Sequence, residues 1–173
     1  MRPFSLGAGP VRLRRFRPAD LRAFQAYRTD AEIGRFQSWE RMDDTRALRF
    51  INAVSRAEIA PRGEWNQIAI AAAQDDELVG DIGLCVDAEG REAEIGFTLA
   101  AATQGHGWGT AAVSRMIEYL FEEEGVERVV GITDKLNEPS ARLMLRAGMR
   151  FVGEEDAVFN GAPCVEATYE IRR

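Results

Sequence analysis

Three parts of the sequence carry groups able to do chemistry. "QGHGWGT", Gln104 to Thr110, sets Gly105, Gly107 and Gly109 between a strand-like run and a long amphipathic segment. A glycine-rich turn that feeds a helix offers unpaired backbone N–H groups and a partial positive charge, which together make an anion site. The same bareness would also serve a turn that only glycine can make, or a tight helix–strand contact. Glu94 opens the strand-like run before the turn, and Asn137 and Ser140 stand at the start of a later helix, where they could cap it or face a ligand. The spacing QxxGxG differs from the GxGxxG of dinucleotide folds, and no GK[ST] follows, so the common nucleotide-hydrolase signature is missing.

These groups need a scaffold, and hydrophobic periodicity supplies its outline. "VRLRRF" (residues 11–16) reads as a strand ended by Pro18, and "ADLRAFQAYR" as a helix with Leu21, Phe24 and Tyr27 on one side. Its arginines, Arg12, Arg14, Arg15 and Arg17, read as the exposed face of a short edge strand. A second helix follows Asp43 and Asp44, with Leu48, Ile51 and Val54 inward, until Pro61 and Gly63. "WNQIAIAAA", "ELVGDIGLCV" and "EAEIGFTL" then read as an antiparallel meander. After the glycines, Val113, Met116, Ile117, Leu120 and Phe121 recur at helical spacing up to Gly125. The strand "ERVVGIT", a helix from Asn137 to Gly148 with Pro139 in its first turn, and strands near residues 149–159 and 165–171 complete the chain. The order implies one mixed α/β domain over residues 1–173, antiparallel first, with a strand–helix–strand unit in the middle.

Composition narrows the function. A formal net charge of −6 over 173 residues argues against a nucleic-acid binder and suits a cationic partner. Two distant cysteines, Cys85 and Cys164, and one histidine, His106, indicate neither a disulfide framework nor a metal site. With no membrane-length apolar run and no secretory pattern at the N-terminus, the expected location is the cytoplasm, without membrane attachment.

With the QxxGxG loop between "AEIGFTL" and the Asn137–Ser140 helix start, the chain resembles the GNAT acyltransferase superfamily over nearly its whole length. Through "RLRRFRPAD", "AYRTD", "EIGFTL" and "NEPSARLMLRAGM" it looks most like the RimJ/RimL-type N-acetyltransferases. The resemblance implies the GNAT fold, a mixed, mostly antiparallel sheet flanked by helices, and acetyl-CoA as cosubstrate. Gln104, Gly107 and Gly109 would be the pyrophosphate motif, with Gly105, His106, Trp108 and Thr110 supplying intervening amides. The pantetheine would lie between splayed strands "EIGFTL" and "RVVGIT", along Phe97, Thr98 and Leu99, with a Phe97 amide as oxyanion donor and Asn137 and Ser140 near the thiol. Glu94 aligns with a general-base glutamate of histone-type members, although an outward-facing strand carboxylate is the plain alternative.

Three departures from the pattern stand out: Ala111 and Ala112 at the helix start, Met149 after Gly148, and Met144 where many members carry a tyrosine acid. Met144 cannot donate a proton, which leaves Ser140 as the candidate acid. Trp39 and Glu40 in "RFQSWE", together with Trp65, Glu64 and Gln67, could form an acceptor pocket, or the aromatic rings could simply pack in the core. Expected partners are an amine acceptor, either a protein N-terminus or a small molecule, and a second copy of the chain, since the subgroup often dimerises. A coenzyme-binding scaffold without transfer activity is the alternative from another class.

Overall fold

A computed structural model describes residues 4–37 and 39–173; Ser38, inside the candidate acceptor segment, and residues 1–3, at the end inspected for a signal, lie outside it. The strands are β1 (Ser5–Ala8), β2 (Val11–Arg14), β3 (Trp65–Ala72), β4 (Leu78–Val86), β5 (Glu92–Leu99), β6 (Arg128–Asp134), β7 (Arg150–Phe159) and β8 (Ala162–Arg172). They form one eight-stranded sheet in the order β1-β2-β3-β4-β5-β6-β8-β7. All neighbours are antiparallel except β5 and β6, the pair joined through a helix. The helices are α1 (Leu21–Arg28), α2 (Ala31–Gly34), α3 (Asp44–Arg56), α4 (Trp108–Glu122) and α5 (Glu138–Arg146).

Two cores follow from the two faces of the sheet. Phe24, Tyr27, Ala47, Ile51 and Val54 from α1 and α3 pack with Phe16, Ala69 and Leu78. On the opposite face α4 buries Ala112, Val113, Met116, Ile117 and Leu120 against alternate residues of β2 to β6, as its apolar stripe requires. Asp43 caps α3 by accepting a backbone N–H, as expected of the helix start at Asp43 and Asp44, and Asp30 caps α2 in the same way.

The edge-strand reading of the arginines is overturned. β1 pairs outside β2, so β2 is interior, and Arg14 is only 3% exposed. Its guanidinium donates to both carboxylate oxygens of Asp20 at 2.8 Å and to Asp76 at 3.0 Å. Arg17 also donates to Asp76, and Arg15 reaches the carbonyls at the end of α3. The four arginines therefore bind the β3–β4 turn and α3 to β2. β1, at four residues with a glycine, is too short to show a period in the sequence. The hairpin of β7 and β8 is tighter than expected, because Asn160 and Gly161 both adopt positive φ and make a two-residue turn.

Candidate active site

The β5–α4 junction uses its glycines for two different purposes. Gly105 and Gly107 sit at φ +79° and +78°, left-handed conformations that L side chains rarely adopt, and Gly107 is the N-cap of α4. Gly109 has no such need. A Cβ there would lie 2.6 Å from Leu143 of α5 and 2.8 Å from Leu99 of β5, so it is bare to let α4 approach its neighbours. Two of the three alternatives for the turn are thus realised, since two positions make it and one packs it; the third, an anion on bare amides, would use the first turn of α4 that the glycines leave open.

β5 and β6 hydrogen-bond only along Glu92–Glu94 and Arg128–Val130; beyond that β6 stays with β8 and β5 with β4. Glu92 accepts from Asp87 and Ala100 donates to Val79, both at 2.8 Å, which fixes the even residues of β5 toward β4. Alternation then turns the N–H groups of Phe97 and Leu99 toward the gap. Gln104 Nε2 donates to the Leu99 carbonyl at 3.0 Å and so ties the loop to the lip of the same gap.

A cleft of about 750 Å³ opens at the β5 side of this gap, between α2, the glycine turn and α5. Phe97, Thr98, Leu99, Gln104, Gly105, Gly107, Gly109, Thr110 and Asn137 line it, nine of the predicted donor-site residues in one place. His106, Trp108 and Ser140 are not among the lining residues: His106 is exposed, and Trp108 packs on the core. Asn137 caps α5, its Oδ1 accepting from Ser140 N, so here the capping alternative holds together with cleft lining. Two walls escaped the sequence reading. Glu32 and Ile33 of α2 close one side, beside Phe36 and Gln37 of the candidate acceptor segment "RFQSWE", and Arg142 and Arg146 of α5 stand on the other. A four-residue helix has no readable period, whereas the i, i+4 arginines on α5 were visible but without a partner to explain them.

Glu94 lies outside this cleft, at the last paired position before the strands part. The register Trp65↔Cys85↔Glu94↔Val130 sets these side chains in one row on the face that carries α1 and α3. Trp65 is 52% exposed there, which removes the core-packing alternative for this residue. Glu94 is exposed, as an outward-facing strand carboxylate would be, and partial desolvation first, then repulsion from Glu166 and Glu92, raise its carboxyl pKa from the ordinary value. Burial, followed by Glu94 and Asp87, pushes the neighbouring Cys85 thiol up as well.

The remaining acceptor candidates separate. Trp39 lies under the Arg28 guanidinium, 3.9 Å from the ring centroid. Arg28 donates to buried Asp81, as does Tyr27, so Trp39 is anchored to α1 by a cation–π contact. Glu40 is exposed and pairs with Arg46. The recorded contacts of Trp39 and Glu40 thus run to α1 and α3, whereas Trp65 belongs with Glu94. Met144 is 1% exposed and packs its sulfur against Gly131, so the position of the missing tyrosine is filled by core. Among the described residues no group of three or more His, Cys, Asp or Glu is arranged to hold a metal, and no helix is long and apolar enough to cross a membrane.

Residues 11–150 match the acetyltransferase (GNAT) domain family. The chain is 27% identical to the uncharacterized N-acetyltransferase YoaA of Bacillus subtilis over 164 residues, covering 92% of this chain and 91% of that one. It is 26% identical to the uncharacterized N-acetyltransferase p20 of Bacillus licheniformis over 134 residues, 76% and 74% of the two. A GNAT-family acetyltransferase of Bacillus anthracis superposes with TM-score 0.86 at 20% identity over 98% of both chains. RimL, a ribosomal L7/L12 alpha-N-protein acetyltransferase, gives 0.82 at 14% identity over 100% and 96%. Spermidine N-acetyltransferase of Vibrio cholerae, in complex with CoA and spermine, gives 0.78 at 18% identity over 94% and 95%. At these identities the structures establish the shared fold.

Proposed function

Since the chain belongs to the acetyltransferase (GNAT) family, we propose that it transfers an acetyl group from acetyl-CoA to a primary amine directly, within a ternary complex. The observation that carries this reading is the parting of β5 from β6 beside the open end of α4, with Gln104 bound to its lip. A pyrophosphate fits the α4 N-terminus, and a pantetheine amide fits the N–H groups of Phe97 and Leu99.

The chemistry assigned to the chain's residues is as follows. Glu94 takes a proton from the acceptor's ammonium, directly or through water, to free the attacking amine, and its raised pKa brings it nearer a useful base at neutral pH. The amine nitrogen bonds to the thioester carbonyl carbon while the C–S bond breaks, and the Phe97 N–H stabilises the developing oxyanion. The departing thiolate takes a proton from Ser140, the side-chain candidate, and the proton that the nitrogen sheds as the amide forms passes back to Ser140 through water, so that the products are an amide and a neutral thiol. Both cysteine thiols are pushed up by burial and nearby carboxylates, so neither is a ready thiolate nucleophile, which favours direct transfer over an acyl-enzyme.

For the acceptor, the RimJ/RimL resemblance favours a protein α-amine. Neutralising an α-amine at pH 7 costs about 1 kcal/mol against about 4.6 for a lysine, a demand that a weak base like Glu94 meets. A second reading, a polyamine or other small cation, is favoured by the exposed Trp65 in the same row as Glu94, with Glu166 and Glu92 near. A cytoplasmic location suits two free thiols.

Calorimetry with CoA and acetyl-CoA is the first test, followed by thiol release against an N-terminal peptide, a lysine peptide and spermidine. Tight binding lost in Gly107→Val supports the donor site. A folded wild-type protein that binds neither ligand sinks the enzyme reading and leaves a scaffold. Binding without thiol release from any amine leaves a coenzyme-binding module.

A further inference from the structure

The sheet face that carries Trp65 and Glu94 has a strip bare of side chains on two of its strands. Pairing sets Gln67 of β3, Gly83 of β4 and Gly96 of β5 in one row, next to the row of Trp65, Cys85 and Glu94. The row on the other side, Ala69, Asp81 and Thr98, is buried. Neither glycine has a positive φ, so the backbone does not require them. Glycine inside a strand weakens it and marks a place where another backbone or a ligand comes close. A Cβ at Gly96 would meet nothing within 4 Å among the described residues, which leaves open space above β5 immediately before Phe97.

Gln67 covers the rest of the strip. Its side chain crosses from β3 onto β4: a Cβ at Gly83 would lie 2.8 Å from Nε2 and 3.3 Å from Oε1, so the carboxamide rests on the Gly83 backbone. Oε1 is buried and accepts no hydrogen bond from the described residues. A buried carbonyl oxygen without a donor is costly, and a donor that arrives with a ligand would account for it. A reacting amine above Gly96, beside Glu94 and the Phe97 N–H, would stand about one strand spacing, ~4.8 Å, from this carboxamide. An N–H on the group next to the amine-bearing carbon can cover that distance with its hydrogen bond.

The chemistry at this point selects among amines. A neutral carboxamide complements the N–H of another amide. The second ammonium of a polyamine would be matched better by a carboxylate. The free carboxylate of an amino acid would face Glu94, with Glu92 and Glu166 close by. We propose that Gln67 Oε1 accepts the first amide N–H of the acceptor, so that the enzyme selects α-amino amides, whether a peptide N-terminus or a small aminoacyl amide. This rests on the acetyl-transfer reading above and adds to it a residue that chooses the acceptor without handling the transferred proton.

The test is thiol release by the full-length protein from acetyl-CoA, with alanine N-methylamide, alanine methyl ester, trialanine amide and spermidine as acceptors, at alkaline pH where the α-amines are neutral. The methylamide and the ester differ in that one N–H is replaced by an oxygen. Wild-type kcat/KM should be about tenfold or more higher for the methylamide than for the ester, and spermidine should be the poorer acceptor. In Q67M, which keeps the length of the side chain without its carboxamide, the preference should fall to about one, the loss falling on the methylamide. The affinity for acetyl-CoA, measured by calorimetry, should not change.

Trialanine amide reacting faster than the methylamide would make the source a polypeptide N-terminus, and equal rates a small aminoacyl amide; both results support the assignment. Equal wild-type rates for methylamide and ester, or spermidine as the better acceptor, would overturn it while leaving acetyl transfer intact. A preference that survives Q67M would overturn the role of Gln67. Thiol release with none of these amines, from folded protein that binds acetyl-CoA, would remove the transfer reading and this inference together. The wild-type comparison stands even if the variant does not fold.

Discussion

The proposed donor end and the proposed acceptor end of this molecule are built from different materials. At the donor end the working groups are backbone amides: the open first turn of α4 and the N–H groups of β5 that face the gap. Their positions follow from glycine conformations and from where two strands stop pairing. At the proposed acceptor end they are side chains, Trp65 and Glu94, carried by β3 and β5 and aligned by register across Cys85 of β4. Substitutions that reshape the chain should therefore damage the donor end, and substitutions that only change a functional group should damage the acceptor end.

The largest separation is expected from Glu94→Gln. Loss of the proposed base should lower kcat/KM for the amine by about 10²-fold or more near neutral pH, with the affinity for acetyl-CoA unchanged. Steady-state kinetics and calorimetry on the same preparation measure both quantities. A variant with full turnover across pH would leave Glu94 a plain strand carboxylate and erase the distinction between the two ends.

Gly109→Val tests the donor end from the opposite side. Its Cβ would meet Leu143 and Leu99 at 2.6 and 2.8 Å, so α4 must shift away from β5 and α5. A stability loss of about 1–3 kcal/mol in denaturant titration should accompany weaker CoA binding. An intact Tm with normal binding would mean that the contact is soft.

Asn137→Ala should cost about 1 kcal/mol through the lost α5 cap, while Ser140→Ala keeps the cap acceptor in place. If Ser140→Ala slows the chemical step in single-turnover experiments without lowering Tm, its role as proton donor stands. An unchanged step would leave the thiolate to be protonated by water.

The smallest effect concerns stability against pH. The Glu94 pKa is raised in the folded protein, so between its unfolded and folded values the native state holds the extra proton. Stability then falls as pH rises through that window, and the penalty is full above the folded pKa. Glu94→Gln removes the penalty. Its Tm should exceed that of the wild type at pH 8, and the gap should close below the ordinary carboxylate range; a constant gap would assign the difference to packing.

What could be read in the sequence tracks the same contrast. Glycines at fixed offsets before an amphipathic helix announce a helix terminus, and α4, α3, the β3–β5 meander and the β5–α4–β6 unit all carry periods that a linear reading detects. The edge-strand expectation for the four arginines of residues 12–17 fails because their partners, Asp20, Asp76 and the carbonyls ending α3, and the covering strand β1 lie across turns that no local period reveals.

The sequence alone determined the strand–glycine turn–helix junction, because a helix N-terminus, its glycines and its strand are contiguous and their physics is local. Only the tertiary structure decided that Gly109 serves packing while Gly105 and Gly107 serve the turn. It likewise decided that Trp65 stands with Glu94 while Trp39 is held by Arg28, and that Arg142 and Arg146 face the cleft. Each of these depends on register or on helix packing between segments tens of residues apart, and a one-residue slip in register would turn every such side chain to the other face.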